Sequence, residues 1–278
     1  MEHVHPDDPR LADYRHLTDA AARRALEGSE GGILIAEGVL ALRQLLRSSY
    51  RIRSILSTPA RADAVRAELD AIAPGDHPPL PHLVAPRELV ESVTGFDVHR
   101  GVLAAAERGP QGDPDAVLRS ARRVVLAEGI SDHENLGAIF RNAAALGLDA
   151  VLLDDTTGDP LYRRSIRVSS GWALRLPHAR VGRGRAPADR LAAAGFRTVA
   201  LTPAGDALPV DRAAAEGLLG DPVALVVGAE GPGLSPELLD ACTHRVSVPM
   251  TGEVDSLNVA TSLAVVASFA AASRGWDR

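Results

Sequence analysis

Five short apolar runs in the second half of the chain, separated by stretches of helical character, constrain the fold more than any other feature. They are Arg123-Val-Val-Leu-Ala127, Ala150-Val-Leu-Leu153, Arg197-Thr-Val-Ala-Leu201, Val223-Ala-Leu-Val-Val227 and Arg245-Val-Ser-Val248. Runs this short and this continuous read as strands buried on both faces, the pattern of a parallel sheet covered by helices. A helix is predicted over about residues 136–146, stopped by Gly147. Another starts at Ser235-Pro-Glu with an N-cap and a first-turn proline, and a last one runs over about 257–272. Residues 154–196 read as one long arginine-rich connection.

The first hundred residues alternate in the same way. Residues 8–26 read as a polar helix. Gly32-Ile-Leu-Ile-Ala36, Arg53-Ser-Ile-Leu-Ser57, His82-Leu-Val-Ala85 and Gly101-Val-Leu-Ala-Ala-Ala106 read as strands, with helices over 40–46, 60–71 and 87–93. This is the pattern of a small α/β unit. A chain of 278 residues suits about two domains at roughly 150 residues each. Gly109-Pro-Gln-Gly-Asp-Pro114 is the clearest linker, which divides the chain into a domain over 1–108, a linker over 109–117 and a second domain over 118–278.

Composition narrows the class. Apolar residues are 46% of the chain and mean hydropathy is +0.01, but aromatics are only 3%, so the cores must be built from Ala, Val, Leu and Ile. No apolar run approaches the roughly 18 residues of a membrane span, and Met1-Glu-His-Val-His-Pro-Asp-Asp has no signal-peptide character. No membrane partner is expected, and a cytoplasmic location is. The single cysteine, Cys242, excludes an internal disulfide and a cysteine metal cluster, and reads as a small buried hydrophobe rather than a nucleophile. His133, with Asp132 and Glu134, lacks a second histidine at ligand spacing, so no metal is expected.

All 30 basic residues are arginine, and the net charge is −6. Between Arg163 and Arg197 lie nine arginines and one acid, Asp189, a local charge of +8 that leaves −14 for the remainder. Such a run is either a phosphate-binding surface or a solvated loop in an arginine-biased protein; charge alone does not separate them.

Three segments place glycine or polar residues where apolar strands meet loops or helix starts: Asn135-Leu-Gly-Ala-Ile-Phe-Arg141, Val227-Gly-Ala-Glu-Gly-Pro-Gly-Leu-Ser235 and Val248-Pro-Met-Thr-Gly-Glu-Val-Asp-Ser-Leu-Asn-Val259. That edge of an open α/β sheet is where ligands bind. A dinucleotide site needs Gly-x-Gly-x-x-Gly after the first strand. Glu128-Gly-Ile-Ser-Asp-His-Glu-Asn-Leu-Gly137 matches only one of those glycines, which disfavours a nicotinamide oxidoreductase. Gly228, Gly231, Gly233 and Gly252 fit either close backbone approach to a flat ligand or plain turn chemistry. Asn135, Ser256 and Asn258 each have two readings as well, helix cap or ligand contact.

The three segments resemble the motifs of the SpoU/TrmH family of RNA ribose 2′-O-methyltransferases, of the SPOUT (α/β-knot) class. Asn135 and Arg141 match the first motif. Gly228, Glu230, Gly231, Gly233, Leu234 and Ser235 match the second. Pro249, Met250, Ser256, Leu257, Asn258 and Val259 match the third. Arg167-Val-Ser-Ser-Gly171 looks like the family's segment beside the target nucleotide. Ile35-Ala-Glu-Gly38 and His99-Arg-Gly-Val-Leu103 are similar to an accessory RNA-binding domain of ribosomal-protein type. The resemblance implies an N-terminal RNA-binding α/β domain and a C-terminal parallel-sheet domain tied in a deep trefoil knot. It also implies a homodimer whose active site is completed across the interface. S-adenosylmethionine would be held by Thr202, Gly228, Val248, Pro249, Met250 and Leu257, and RNA by Arg163, Arg164, Arg167 and Ser169. The catalytic set would be Arg141, Asn135, Glu230, Ser256 and Asn258, with no metal. The implied substrate is a ribose 2′-hydroxyl of structured RNA, 23S rRNA by its two-domain layout; a tRNA enzyme and a non-catalytic RNA binder are the alternatives.

The family account makes the motif-one arginine a base. A guanidinium is protonated up to a pKa above about 12. Arg141 is therefore expected to grip the target phosphate bidentately and stabilise the developing oxyanion, the proton leaving through that phosphate, a water or a polar neighbour. Asn135 is expected to orient Arg141 or the ribose, and Glu230 to fix Arg141 or accept from the nucleotide.

Overall fold

In the computed structural model, which describes residues 2–15, 17, 32–72, 80–203 and 205–272, the strands assemble into two separate sheets. These organise two compact units: Met1–Pro110 with Leu161–Arg175, and Gln111–Pro160 with Leu176–Arg278.

The first unit contains β1 (Glu2–His3), β2 (Ile33–Glu37), α1 (Val39–Leu46), β3 (Ile52–Ser57), α2 (Ala62–Asp70), β4 (His82–Val84), α3 (Arg87–Thr94) and β5 (Val102–Glu107). Its sheet order is β1-β4-β3-β5-β2, with β1, β4 and β3 parallel and both pairings of β5 antiparallel. Alternating side chains on β2 go to opposite faces. Leu34 and Ala36 join the layer under α1, while Ile33 and Ile35 join the other around Leu11, Tyr14 and Val90. The helix expected over 8–26 is not what forms at its start. Pro9–Tyr14 is a 3-10 turn capped by Asp8, and Arg15 is extended, because Tyr14 turns inward and its buried hydroxyl donates to the Ser54 carbonyl at 2.8 Å. Residues 18–26 lie outside the described residues.

The second unit is built on α4 (Pro114–Ser120), β6 (Arg123–Glu128), α5 (His133–Ala145), β7 (Ala150–Leu153), β8 (His178–Arg180), α7 (Ala186–Ala193), β9 (Arg197–Leu201), β10 (Leu208–Pro209), α8 (Val210–Ala215), β11 (Val223–Gly228), α9 (Pro236–Ala241), β12 (His244–Ser247) and α10 (Val259–Ala272). All pairings in its sheet are parallel, in the order β10-β12-β9-β11-β6-β7-β8. The five expected strands form its centre; β8 and β10 extend the edges. One face is covered by Leu118, Leu191 and Leu238 from α4, α7 and α9. On α10, Leu263, Val266 and Ala267 are buried, and the helix packs against α5, α8 and β11. At roughly 1.5–3 kcal/mol per fully buried large aliphatic side chain, this packing outweighs the ~1 kcal/mol of any cap.

The polar turn after β7 fixes the loop that leads into α5. Asp154, almost fully buried, accepts from the Gly129 N–H at 3.0 Å, the Thr157 N–H at 2.7 Å and the Thr156 hydroxyl. The Thr157 hydroxyl accepts from the Ile130 N–H at 3.1 Å. Arg180 braces the same turn by donating to the carbonyls of Asp154, Thr157 and Gly158. Burial opposes ionisation of Asp154, but the hydrogen bonds from Gly129, Thr156 and Thr157 outweigh it and hold the carboxyl below its usual value.

The segment between β7 and β8 departs from the expected division. Residues 161–175, including α6 (Arg163–Val168), belong to the first unit, so the second domain is not continuous over 118–278. Leu161, Ile166 and Leu174 enter the apolar layer with Leu34, Leu42 and Leu45. Gly171, at φ +87°, lies so close to α1 that an added Cβ would stand 2.9 Å from the Ala41 Cα. Above these contacts Glu37, only 2% exposed, accepts from Arg163 at 3.0 Å, with Arg167 at 3.7 Å, and the Arg163 guanidinium lies 3.9 Å from the Phe96 ring centre. A charge run cannot reveal this in one dimension; three apolar residues and one buried carboxylate decide it.

Two predictions follow from these buried carboxylates. Glu37→Gln leaves Arg163 facing a neutral amide and is expected to cost about 3 kcal/mol, read as a lower urea midpoint at unchanged slope. The stability contributed by ionised Asp154 is complete above its unfolded value, near pH 4, and is lost as pH falls through its lower native value. Asp154→Asn should therefore lower stability at pH 7 by about 1–3 kcal/mol. Urea midpoints of the variant and the parent protein should converge as pH falls below Asp154's unfolded value, about 4.

Candidate functional site

Because every strand of the second sheet runs the same way, the carboxyl ends of β9, β11 and β12 open at one edge. Their loops enclose a cleft of about 160 Å³. Thr202, Gly228, Val248, Met250 and Leu257 line it, together with Glu230 and Ser256. Pro249, also expected to hold a cofactor, is exposed and is not among the lining residues. Thr202 is tied in by its N–H, which donates to the Val246 carbonyl at 3.0 Å.

The glycines of the β11 loop have steric reasons. A Cβ on Gly228 would fall 2.4 Å from the Gly233 carbonyl carbon, since the loop folds back and the Gly233 N–H donates to Ala229 O at 2.9 Å. Gly231 and Gly233 adopt φ +89° and +74°, the left-handed region glycine enters without penalty. Turn chemistry thus accounts for the spacing. The same turn leaves backbone walls with no side chains between them and the cleft.

Asn258 joins the three motif segments. Its Oδ1 accepts from the N–H groups of Ala260 at 3.0 Å and Thr261 at 3.2 Å, capping α10. Its Nδ2 donates to Asn135 Oδ1 and to Glu230 Oε1, both at 2.7 Å. The two readings of Asn258 therefore hold at once. For Asn135 the cap reading fails, because Asp132 caps α5 by accepting from the Glu134 N–H. Ser256 lies two residues ahead of the Asn258 cap, exposed at the cleft rim.

Arg141 lies six residues beyond Asn135 on α5, about 9 Å along the axis and a third of a turn around it. It is exposed and has no hydrogen-bond or ion-pair partner among the described residues. Of the two readings of Asn135 and Glu230, a bond to Arg141 does not form among the described residues, since both accept from Asn258.

Two residues escaped the sequence reading. Asp154 fixes the entry to α5. Glu128, the last residue of β6, accepts from the backbone N–H and the hydroxyl of Ser235, each at 2.7 Å. Carboxylates directly following apolar strands were the available signal for both. Cys242 is half-buried, and burial pushes its thiol up to about 11, which suits an inert side chain.

The arginine run divides between the two units. Arg163, Arg164, Arg167 and Arg175 belong to the first unit, and Arg180 to Arg197 to the second. Arg163 is held by Glu37, and Arg185 and Arg190 pair with Asp189 and Asp115. Arg197 donates to the Leu218 and Gly220 carbonyls beyond α8. Ser169 is fully buried; its hydroxyl donates to Ile166 O at 2.9 Å and accepts from the Ala173 N–H at 3.2 Å, which leaves it no face for RNA. Arg164 is exposed and Arg167 half-buried.

The profile of the SpoU rRNA Methylase family matches residues 122–268. An uncharacterized tRNA/rRNA methyltransferase of Mycobacterium tuberculosis is 41% identical over 260 residues, 94% of this chain and 88% of that protein. Among solved structures, the SpoU methyltransferase AviRb from Streptomyces viridochromogenes, in complex with AdoMet, superimposes with a TM-score of 0.77 at 22% identity, over 96% of this chain and 99% of that one. A crystal structure of an RNA 2′-O ribose methyltransferase gives 0.74 at 24% identity, over 98% and 99%. At that identity the structures speak for the fold, and it is the sequence profile and the mycobacterial relative that carry the conclusion: this chain belongs to the SpoU family of RNA methyltransferases.

Proposed function

We infer that the protein transfers the methyl group of S-adenosylmethionine to a ribose 2′-hydroxyl of structured RNA, with 23S rRNA as the favoured target. The Asn258 junction carries this reading: it holds the carboxylate of Glu230 and the amide of Asn135 together at the rim of a backbone-walled cleft. The family description names rRNA, and relatives named for both tRNA and rRNA keep a tRNA target as the alternative. The deep trefoil knot is part of the proposal, supported by the convergence on one cleft of loops from β9, β11 and β12.

The lining fits the donor in kind. Backbone groups around Gly228 and Val248 can read an adenine edge, and Leu257 and Met250 offer apolar contact. When bound, the donor supplies an electrophilic sulfonium methyl. The chain's own task is to hold a poor nucleophile whose proton passes to the adjacent phosphate, a water or a polar neighbour as the methyl leaves the sulfonium. Arg141, charged and unpartnered within its chain among the described residues, is available to grip a phosphate and stabilise the developing oxyanion. Its freedom also supports a homodimer in which it serves a site completed by a second copy. Asn135, Glu230 and Ser256 orient the nucleotide. In the first unit, the exposed Arg164 and the half-buried Arg167 are the side chains of the expected set assigned to RNA contact.

Labelled S-adenosylmethionine with total RNA from a strain lacking the gene should place label on one ribose, located as a blocked 2′-hydroxyl. Label on bases, or none, would defeat the proposal, the latter in favour of a non-catalytic binder. Arg141→Lys keeps charge but loses the fork, and should lower kcat about 100-fold or more. Asn258→Ser keeps a capping oxygen but no reaching donor. It should stay within about 1 kcal/mol of the parent in stability while kcat/KM falls at least tenfold. Full activity in Asn258→Ser would show that the bridge is dispensable.

A further inference from the structure

The loop that presents Glu230 is fastened at both ends, and the second fastening uses a residue outside the three motifs. At its start, Gly228 is wedged against Gly233, and the Ala229–Gly233 turn closes the loop on itself. At its end stands Ser235, the N-cap of α9, whose hydroxyl accepts from the Leu238 N–H at 3.3 Å. Glu128 ends the neighbouring strand directly beside Gly228 in the sheet register. Its two carboxylate oxygens take the Ser235 N–H and hydroxyl separately, each at 2.7 Å. One carboxylate therefore ties the far end of the loop to β6, the strand beside the one from which its near end departs.

We propose that Glu128 is a positioning residue for methyl-donor binding, acting through Ser235 to hold the Gly228–Ser235 loop in its cleft-lining form. The proposal rests on the function inferred above. Gly228, Ala229, Glu230, Gly231 and Gly233 all line the cleft, whereas Glu128 and Ser235 do not. Glu128 thus has no direct contact to offer the donor, and its influence passes along the loop. Leu234 and Leu238, on either side of Ser235, pack into the core, but the loop residues between Gly228 and Leu234 carry no buried apolar side chain, so packing does not fix the loop ahead of them. Without the carboxylate, the loop retains the Gly233–Ala229 turn but loses its anchor to β6, so Glu230 is no longer delivered to Asn258 in one geometry.

The test compares Glu128→Ala, Glu128→Gln and Ser235→Ala, with donor affinity measured by calorimetry and exchange of the 229–235 amides by mass spectrometry. Hydrogen bonds to a charged group place the expected loss of donor affinity in Glu128→Ala at about ten- to a hundredfold, with faster amide exchange and kcat at saturating donor falling much less. A glutamine can still accept from the Ser235 N–H while donating to its hydroxyl, so Glu128→Gln should recover to within about fivefold of the parent. Ser235→Ala, which removes one arm and the cap, should fall between and keeps the test alive if Glu128→Ala does not fold. Donor affinity within twofold of the parent in both alanine variants would overturn the proposal, as would unchanged exchange of the loop amides. If the parent protein itself binds no S-adenosylmethionine, the functional reading fails instead, and amide exchange still reports whether the clamp exists.

Discussion

The site depends on how one amide side chain divides its two ends. The start of α10 leaves N–H groups that need an acceptor, and Asn258 supplies Oδ1 to two of them. Once that oxygen is committed, the amide plane forces Nδ2 outward, where it donates to Asn135 and Glu230. No other common cap does both. Aspartate would cap equally well but set a second carboxylate against Glu230, and serine caps but lacks the reach. Capping and assembly of the site are thus a single constraint, and the position where α10 begins sets where the three segments meet.

The parts legible in the sequence were those governed by local sterics. Central strands announce themselves as continuous apolar runs because both faces are buried, and Gly228, Gly231 and Gly233 because backbone geometry admits nothing else. The β8 and β10 edges, of three and two residues, were invisible. Strands that short carry no periodicity, and β8 is two-thirds charged or titratable side chains. The 3-10 turn at Pro9–Tyr14 was missed because a buried tyrosine bonded to a distant carbonyl leaves no local mark.

The arginine run shows why charge counted along a chain misleads. Its members separate into two units, and most serve as cross-links: Arg163 on a buried carboxylate, Arg180 and Arg197 on backbone carbonyls, Arg185 and Arg190 on acids. The guanidinium fork suits all three uses, since it can satisfy several carbonyls from one buried stem. In a protein with no lysine, arginine must also do the ordinary work of surface charge, so density carries little information. Arg141 is distinguished by the opposite property, exposure without a partner among the described residues.

That contrast separates residues kept for the fold from those kept for chemistry. Gly228 is explained by space: any side chain there collides with backbone, so its presence argues for loop closure whether or not a ligand binds. Glu230 has no such explanation. It is exposed, and its bond to Asn258 is solvent-accessible, a kind of contact that adds about 0.5–1.5 kcal/mol at most. Asn135 makes a comparable contact while Asp132 performs the capping its helix needs. Stability does not account for a carboxylate and an amide held together at one sheet edge. An arrangement that contributes so little to folding, yet requires three distant segments to meet, supports the ligand site proposed above.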